Sequence, residues 1–354
     1  MTRRLALLAL LITTGCKSAE TTTTKGAPSS SAPPSPVASM ARPAGPCGEF
    51  QALVASTYNF RPATLEGEAR KQKTAQLDDF DRQVRAHKEA WLPCLRTALK
   101  NPASDGYFRF DGSDLLLRLD SSDEAKAIRL QALHDVDLAD IQLRSWVDSL
   151  AQLGHAGLDT SAAASRWFTL PNPTYPMPEH SMVAGPSVGT TVMFGSMDEA
   201  RAVPALAAAA RQPKFPWVSK VAVTMLSALG TPESWAELQR LSTEKNEAGP
   251  LAAAEVKTLR SADSHIKPRT PTKLTRERFT RAGNDLLAGK GDDLDAIFRE
   301  APDAEKDIVA VVKADDRDLV RKLRRFVASR DTKRGVEMYG VLTAILHSMP
   351  GAPR

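Results

Sequence analysis

Apolar residues recur at helical spacing through most of this chain, and that period excludes more folds than any other feature. Leu77, Phe80, Val84, Trp91, Leu95 and Leu99 follow one another at steps of three, four and seven. That is the stripe of an amphipathic α-helix, not the alternation of a half-buried strand. The spacing predicts one or two helices over residues 68–99, with Pro93 as the expected break. "YFRFDGSDLLLRL" reads as a helix capped by Asp111 or Ser113, with a hairpin around Asp111-Gly112 as the alternative. Ser122 precedes a run carrying Ala125, Ile128, Ala132 and Leu133. Leu138 to Leu153 forms another, stopped at Gly154, and Asp159 or Thr160 caps "SAAASRWF".

Residues 170–195 break this habit. "LPNPTYPMPEHSMVAGPSVGTTVMFG" holds five prolines, so a long ordered loop or an extended excursion is expected there. Helical signals resume at Met197. Val218, Val221, Met225, Leu226 and Leu229 end at Gly230, and Thr231-Pro232 supply an N-cap and first-turn pair for the next helix. Further helices are predicted at 250–261, 276–288, 293–300, 304–313, 316–329 and 335–348. Aromatics make up only 6% of the chain, which suits closely packed helices better than sheets. The expected fold class is all-α, built of stacked helix pairs with one long Pro/Gly-rich loop.

The amino terminus has a different character. Arg3 and Arg4 precede eight apolar residues, Leu5 to Ile12, and then Thr13-Thr14-Gly15 leads to Cys16. This is the layout of a signal peptide, since a membrane-spanning helix needs about 20 apolar residues. Gly15-Cys16 resembles the lipobox of bacterial lipoproteins, which implies that Cys16 is lipidated and becomes the first mature residue. Thr13 stands where that motif usually has Leu, so ordinary secretory cleavage is the alternative. Lys17, in place of an Asp, points by the same resemblance to the outer rather than the inner membrane. Two or three acyl chains make a stable anchor where one does not. Residues 17–46 then hold Thr21 to Thr24, Ser29 to Ser31 and "APPSP", with too few large apolar side chains to fold. A coil of about 30 such residues spans roughly 30 Å, enough to hold a domain clear of lipid headgroups.

The organisation expected is therefore a signal peptide (1–15), a lipidated cysteine and tether (16–46), an N-terminal helical region (47–170), the Pro/Gly-rich loop (171–196) and a C-terminal helical region (197–354). The helix pairs resemble HEAT-type α-solenoids, most closely over "VAVTMLSALGTPESWAELQRL" (221–241), although no motif recurs at a fixed period. "YFRFDGSDLLLRL", "DLADIQLRSWVDSLAQLGHAGLDTSAAASRW" and "MPEHSMV" resemble segments of a family of uncharacterised exported bacterial proteins. That likeness covers roughly residues 100–210 and implies no activity.

Once Cys16 is set aside, Cys47 and Cys94 remain, and in an exported chain they are expected to form a disulfide. Net charge is +5, but it is unevenly spread. Asp111 to Asp148 holds nine acids against four bases, Lys257 to Arg281 eight bases against two acids, and Asp315 to Arg334 eight against four. The cluster Arg321, Lys322, Arg324 and Arg325 is the candidate binding surface, suited to an anionic lipid, an envelope polymer or an acidic protein. The basic segments lack interleaved aromatics, so no nucleic-acid partner is expected.

Catalytic signals are sparse. Gly185-Pro186-Ser187-Val188-Gly189 matches G-x-S-x-G, which needs a strand before the serine and a helix after it, in a βαβ setting. Ser187 and His180, the latter beside Glu179, are the residues of a hydrolase alternative. His134, Asp135, Asp137 and Asp140 lack metal-ligand spacing, and the acids are expected to cap and charge the start of the next helix. Lys290 in "GKGDD" lacks the phosphate-loop pattern. No metal or cofactor is expected. The function expected from the sequence is a lipid-anchored envelope scaffold with a helical binding domain.

Overall fold

The computed structural model describes residues 45–59, 67–177, 182–261, 265–270, 274–291, 293–300, 303–330, 333–350 and 352. The expected signal peptide, Cys16, the expected tether up to residue 44 and His180 lie outside the described residues. Seventeen α-helices and one short hairpin are seen among the described residues, so the fold is all-α and made of packed helix pairs. No described helix is long and apolar enough to cross a membrane. Two compact units divide between Ile141 and Gln142, whereas the sequence reading set the end of the first helical region at residue 170.

The N-terminal unit contains α1 (Pro46–Thr57), α2 (Gly67–Ala86), α3 (Lys88–Lys100), α4 (Gly106–Leu119) and α5 (Asp123–Asp135). The apolar stripe of the sequence is its core. Phe80, Val84, Trp91, Leu95 and Leu99 are buried together with Phe50, Tyr58 and Phe108. The rings meet edge-on, Tyr58 lying 5.0 Å from Phe108 and 5.2 Å from Phe80 between centroids. Such pairs add to the burial of their area.

The break expected at Pro93 falls instead at His87. Pro93 forfeits one backbone bond inside α3, but Trp91, Cys94, Leu95 and Leu99 on either side bury the same face and carry the helix through. Helix α4 also starts earlier than Asp111 or Ser113, capped by Asp105, whose carboxylate accepts from the Phe108 N–H. Asp111 is left inside the helix, where it accepts the Tyr58 hydroxyl at 2.5 Å. Burial raises its carboxyl pKa, partly offset by that bond. Ser122 caps α5 as expected. On α5, Arg129 is only 2% exposed; it donates to the Phe110 carbonyl and the Ser113 hydroxyl and stacks on the Phe110 ring. Burial brings its pKa down to about 10.

The C-terminal unit begins with α6 (Leu143–His155), α7 (Ser161–Ser165), a 3₁₀ turn (Arg166–Thr169) and strands β1 (Tyr175–Met177) and β2 (Met182–Ala184). The strands pair antiparallel, Tyr175 opposite Ala184. Next come α8 (Pro186–Ser196), α9 (Glu199–Arg211), α10 (Pro216–Leu229), α11 (Pro232–Leu241) and α12 (Ala248–Arg260). The unit ends with α13 (Arg276–Leu287), α14 (Asp293–Glu300), α15 (Ala304–Val311), α16 (Arg317–Ala328) and α17 (Lys333–Ser348). The α10–α11 junction follows the sequence expectation. Gly230 adopts the left-handed conformation, and Thr231 and Ser234 form a reciprocal capping box behind Pro232. At the end of α6 the positive-φ residue is Gly157 rather than Gly154.

In residues 171–196 the extended excursion is seen as a hairpin, and the correction is the helix that follows it. That helix, α8, packs against α6, α10, α16 and α17 at the centre of this unit. Val188, Val192, Met193 and Phe194 are at most 3% exposed, and each contributes roughly 1.5–3 kcal/mol of burial. A helix buried on all sides carries no amphipathic stripe. Its glycines serve close packing rather than a turn. A Cβ at Gly189 would stand 2.5 Å from the Trp167 ring, and one at Gly195 2.7 Å from the Tyr339 ring.

Candidate functional site

The basic cluster of α16 divides between core and surface. Val320, Leu323 and Val327 define the buried stripe, and Arg324, four residues beyond Val320, falls on it. Arg324 is fully buried, donates to the Ala228 carbonyl at 2.6 Å, lies 3.4 Å from the Glu199 carboxylate and sits over the Tyr339 ring. It belongs to the core, not to the binding surface expected from the sequence. Arg321 is half-buried, with its Nε enclosed. Lys322 and Arg325, three residues apart on one face, border a recess.

That recess has a volume of about 330 Å³ and is open on one side. Gly154, His155 and Gly157, at the end of α6, form one wall. Ser196, Asp198 and Arg201, across the α8–α9 junction, form a second. Leu287 of α13 and Lys322 and Arg325 of α16 complete it.

Local structure fixes each side chain. Asp198 caps α9, one carboxylate oxygen accepting from the Ala200 N–H at 2.9 Å. Its other oxygen lies 3.5 Å from Arg325 Nη1. Arg201, in the first turn of α9, donates through Nη1 to the Gly157 carbonyl at 2.6 Å, which ties α9 to the end of α6. His155 packs edge-on against Phe326, 5.5 Å between centroids. Burial first, and the Arg325 charge second, hold its pKa below the usual histidine value. Lys322 meets Asp318 at 2.8 Å, and both side chains are more than half exposed. The lining thus carries three cations, one carboxylate and a histidine whose pKa is held down.

The other sequence candidates fall elsewhere. Ser187 is the second residue of α8 and only 8% exposed. A strand precedes it and a helix follows, as a nucleophile elbow needs, but that strand belongs to a two-stranded hairpin and not to a βαβ unit. The Pro186 carbonyl accepts from Trp167 Nε1 and from the Thr190 hydroxyl, so this turn anchors the start of α8. Asp135 receives Arg109 at 2.8 Å and Gln131 at 2.7 Å; burial raises its pKa, but these bonds and that of His134 outweigh it and bring the carboxyl down. The acids of "HDVDLAD" do not cap the following helix. Asp137 instead accepts from the Ala139 N–H, and Gln142, the N-cap of α6, makes no side-chain cap bond. No group of three or more metal-ligating side chains occurs among the described residues. Lys290 is exposed beyond α13, its N–H bonded to the Asp285 carbonyl.

Cys47 and Cys94 form the expected disulfide, joining the first turn of α1 to α3 with Cα atoms 5.4 Å apart. Sequence reasoning missed His155, Asp198 and Arg201, because four separate segments supply the recess and none has a local signature. Comparisons with protein-family models, with curated proteins and with solved structures find no match to this chain.

Proposed function

We propose that this protein is a lipid-anchored component of a bacterial cell envelope, held through Cys16, most naturally at the outer membrane, whose helical C-terminal unit binds an envelope protein or an anionic envelope polymer. The observation that carries the reading is the Cys47–Cys94 disulfide. Structural disulfides persist in oxidising compartments, which fits the export implied by Arg3, Arg4, the apolar run and Gly15-Cys16. The basic recess of α9 and α16 supports a binding role, as Arg201, Lys322 and Arg325 converge on it from two helices.

The test is an intact mass of the protein from native membranes, beside a Cys16→Ser control, with and without reduction. A lipid-sized increment on a chain starting at Cys16, with a mass deficit of two hydrogens before reduction, is the expected result. An unmodified mature chain would remove the anchor and the membrane-proximal role with it.

A further inference from the structure

The recess has the chemistry of an oxyanion site. Arg201, Lys322 and Arg325 reach it from two helices far apart in sequence, and Asp198 is the one carboxylate among its lining residues. Three cations thus face one carboxylate in the lining, with Glu199 and Asp318 standing behind Arg325 and Lys322.

Each cation is positioned without being fully neutralised. Arg201 is anchored by the Gly157 carbonyl, a neutral acceptor, which orients the guanidinium and leaves its charge in place. Asp159 feels that charge, but its carboxylate is turned to the Ser161 N–H and hydroxyl, at 3.1 and 2.6 Å. Arg325 lies 3.5 Å from Asp198 and 3.7 Å from Glu199, both long for a charge-assisted bond. The Lys322–Asp318 pair is solvent-exposed, and such pairs are weak enough for a better anion to displace. Gly154, Gly157 and Ser196 add little bulk to the walls.

Size and charge narrow the ligand. Three converging cations, two of them guanidinium forks that bind phosphate oxygens in pairs, match a phosphate group better than a single carboxylate. The volume is at the low end of small-molecule sites, so it takes a phosphate group with the first atoms of whatever carries it. His155 is the only ring lining the recess, so the stacking platform of a nucleic-acid site is missing there.

We propose that this recess binds a phosphate-monoester-class anion, with Arg201, Lys322 and Arg325 as its ligands and the His155 ring as a hydrogen-bonding neighbour. Free phosphate and a phosphorylated lipid headgroup share this chemistry. Only the headgroup source rests on the envelope reading; the site does not.

The test uses the full mature chain in detergent, titrated calorimetrically with inorganic phosphate, beside Arg201→Gln, Arg325→Gln and a Lys220→Gln control on the exposed face of α10. Saturable binding is expected, weakened about tenfold or more by either arginine variant and unchanged by the control. A far-UV spectrum establishes that each variant is folded. In a second arm the Cys16→Ser chain is floated with phosphatidylcholine vesicles with and without phosphatidic acid. Flotation that depends on phosphatidic acid and on Arg201 and Arg325 identifies a headgroup as the ligand; phosphate binding without flotation identifies the free ion. The inference is overturned if neither arm shows binding, or if binding persists unchanged in folded Arg201→Gln and Arg325→Gln. An unmodified Cys16 would overturn the anchor while leaving the phosphate titration untouched.

Discussion

Arg324 donates to the Ala228 carbonyl at 2.6 Å, from the middle of α16 to the last turn of α10. Because α10 ends at Leu229 with Gly230 left-handed, that carbonyl is one of the terminal acceptors a helix leaves without a partner of its own. A residue that reads as surface charge thus acts as a buried cap for a distant helix.

Replacing it separates the structural cation from the exposed ones. Arg324→Met leaves the Ala228 carbonyl and part of the Glu199 charge uncompensated in the interior, at a cost of about 3 kcal/mol. Arg325→Gln and Lys322→Gln, at half-buried and exposed positions, change stability by about 0.5 kcal/mol or less. Urea denaturation followed by tryptophan fluorescence gives the comparison. Equal losses for Arg324→Met and Lys322→Gln would contradict the division of this cluster into core and surface.

The disulfide makes a prediction for the N-terminal unit. It closes a loop 47 residues apart in sequence, and loop-closure entropy assigns such a cross-link about 4 kcal/mol in the unfolded chain. Reduction, or Cys47→Ala with Cys94→Ala, lowers the unfolding midpoint of α1 to α5. Hydrogen exchange reports it residue by residue, with protection lost first in α1. A midpoint unchanged by reduction would mean that the aromatic core holds α1 unaided.

What the sequence disclosed depended on where each helix sits. Half-buried helices carry their stripe in the sequence, and α13 to α17 lie within a few residues of their expected positions. Thr231 and Pro232 were readable because capping chemistry is local. Helix α8 was not, since burial on every side erases the stripe and close packing demands glycines that elsewhere mark turns. Arg324 was readable in principle, as its spacing from Val320 placed it on the buried face. The recess was not, because His155, Arg201 and Lys322 come together only through the packing of α6, α9 and α16.

The glycines of α8 can be tested directly. Gly189→Ala sets a methyl group 2.5 Å from the nearest atom of the Trp167 ring, which is itself pinned by its bond to the Pro186 carbonyl. Overpacking of this kind costs about 1–3 kcal/mol, in spite of the better helix propensity of alanine. Gly106→Ala, with open space at its Cβ position in the first turn of α4, is the control and is close to neutral. Thermal unfolding distinguishes them; a stabilised Gly189→Ala would show that Trp167 has room to move.

His347 gives the molecule a stability that depends on pH. Its Nε2 atom is enclosed at the end of α17, against the space where a Cβ on Gly230 would stand. Burial first, and the Arg324 charge second, bring its pKa down to about 4, against a bond with the Ser227 backbone that raises it; His265 and Arg317 add smaller repulsions. In the unfolded chain the same ring titrates near its ordinary value of 6.5. Between these two values the unfolded state binds the proton and the folded state does not, so stability falls as pH falls from about 6.5 to about 4. The loss from this ring alone reaches up to about 3 kcal/mol at the bottom of that window. The depressed carboxyl of Asp120, at about 2, adds its own loss only at lower pH. Urea midpoints measured from about pH 7 to about pH 4.5 should therefore decline more steeply in the native chain than in His347→Gln, whose amide does not titrate, the depressed His155 leaving a smaller decline in both. Parallel declines in both proteins would assign the acid sensitivity to His155 and the carboxylates and leave His347 a passive packing residue.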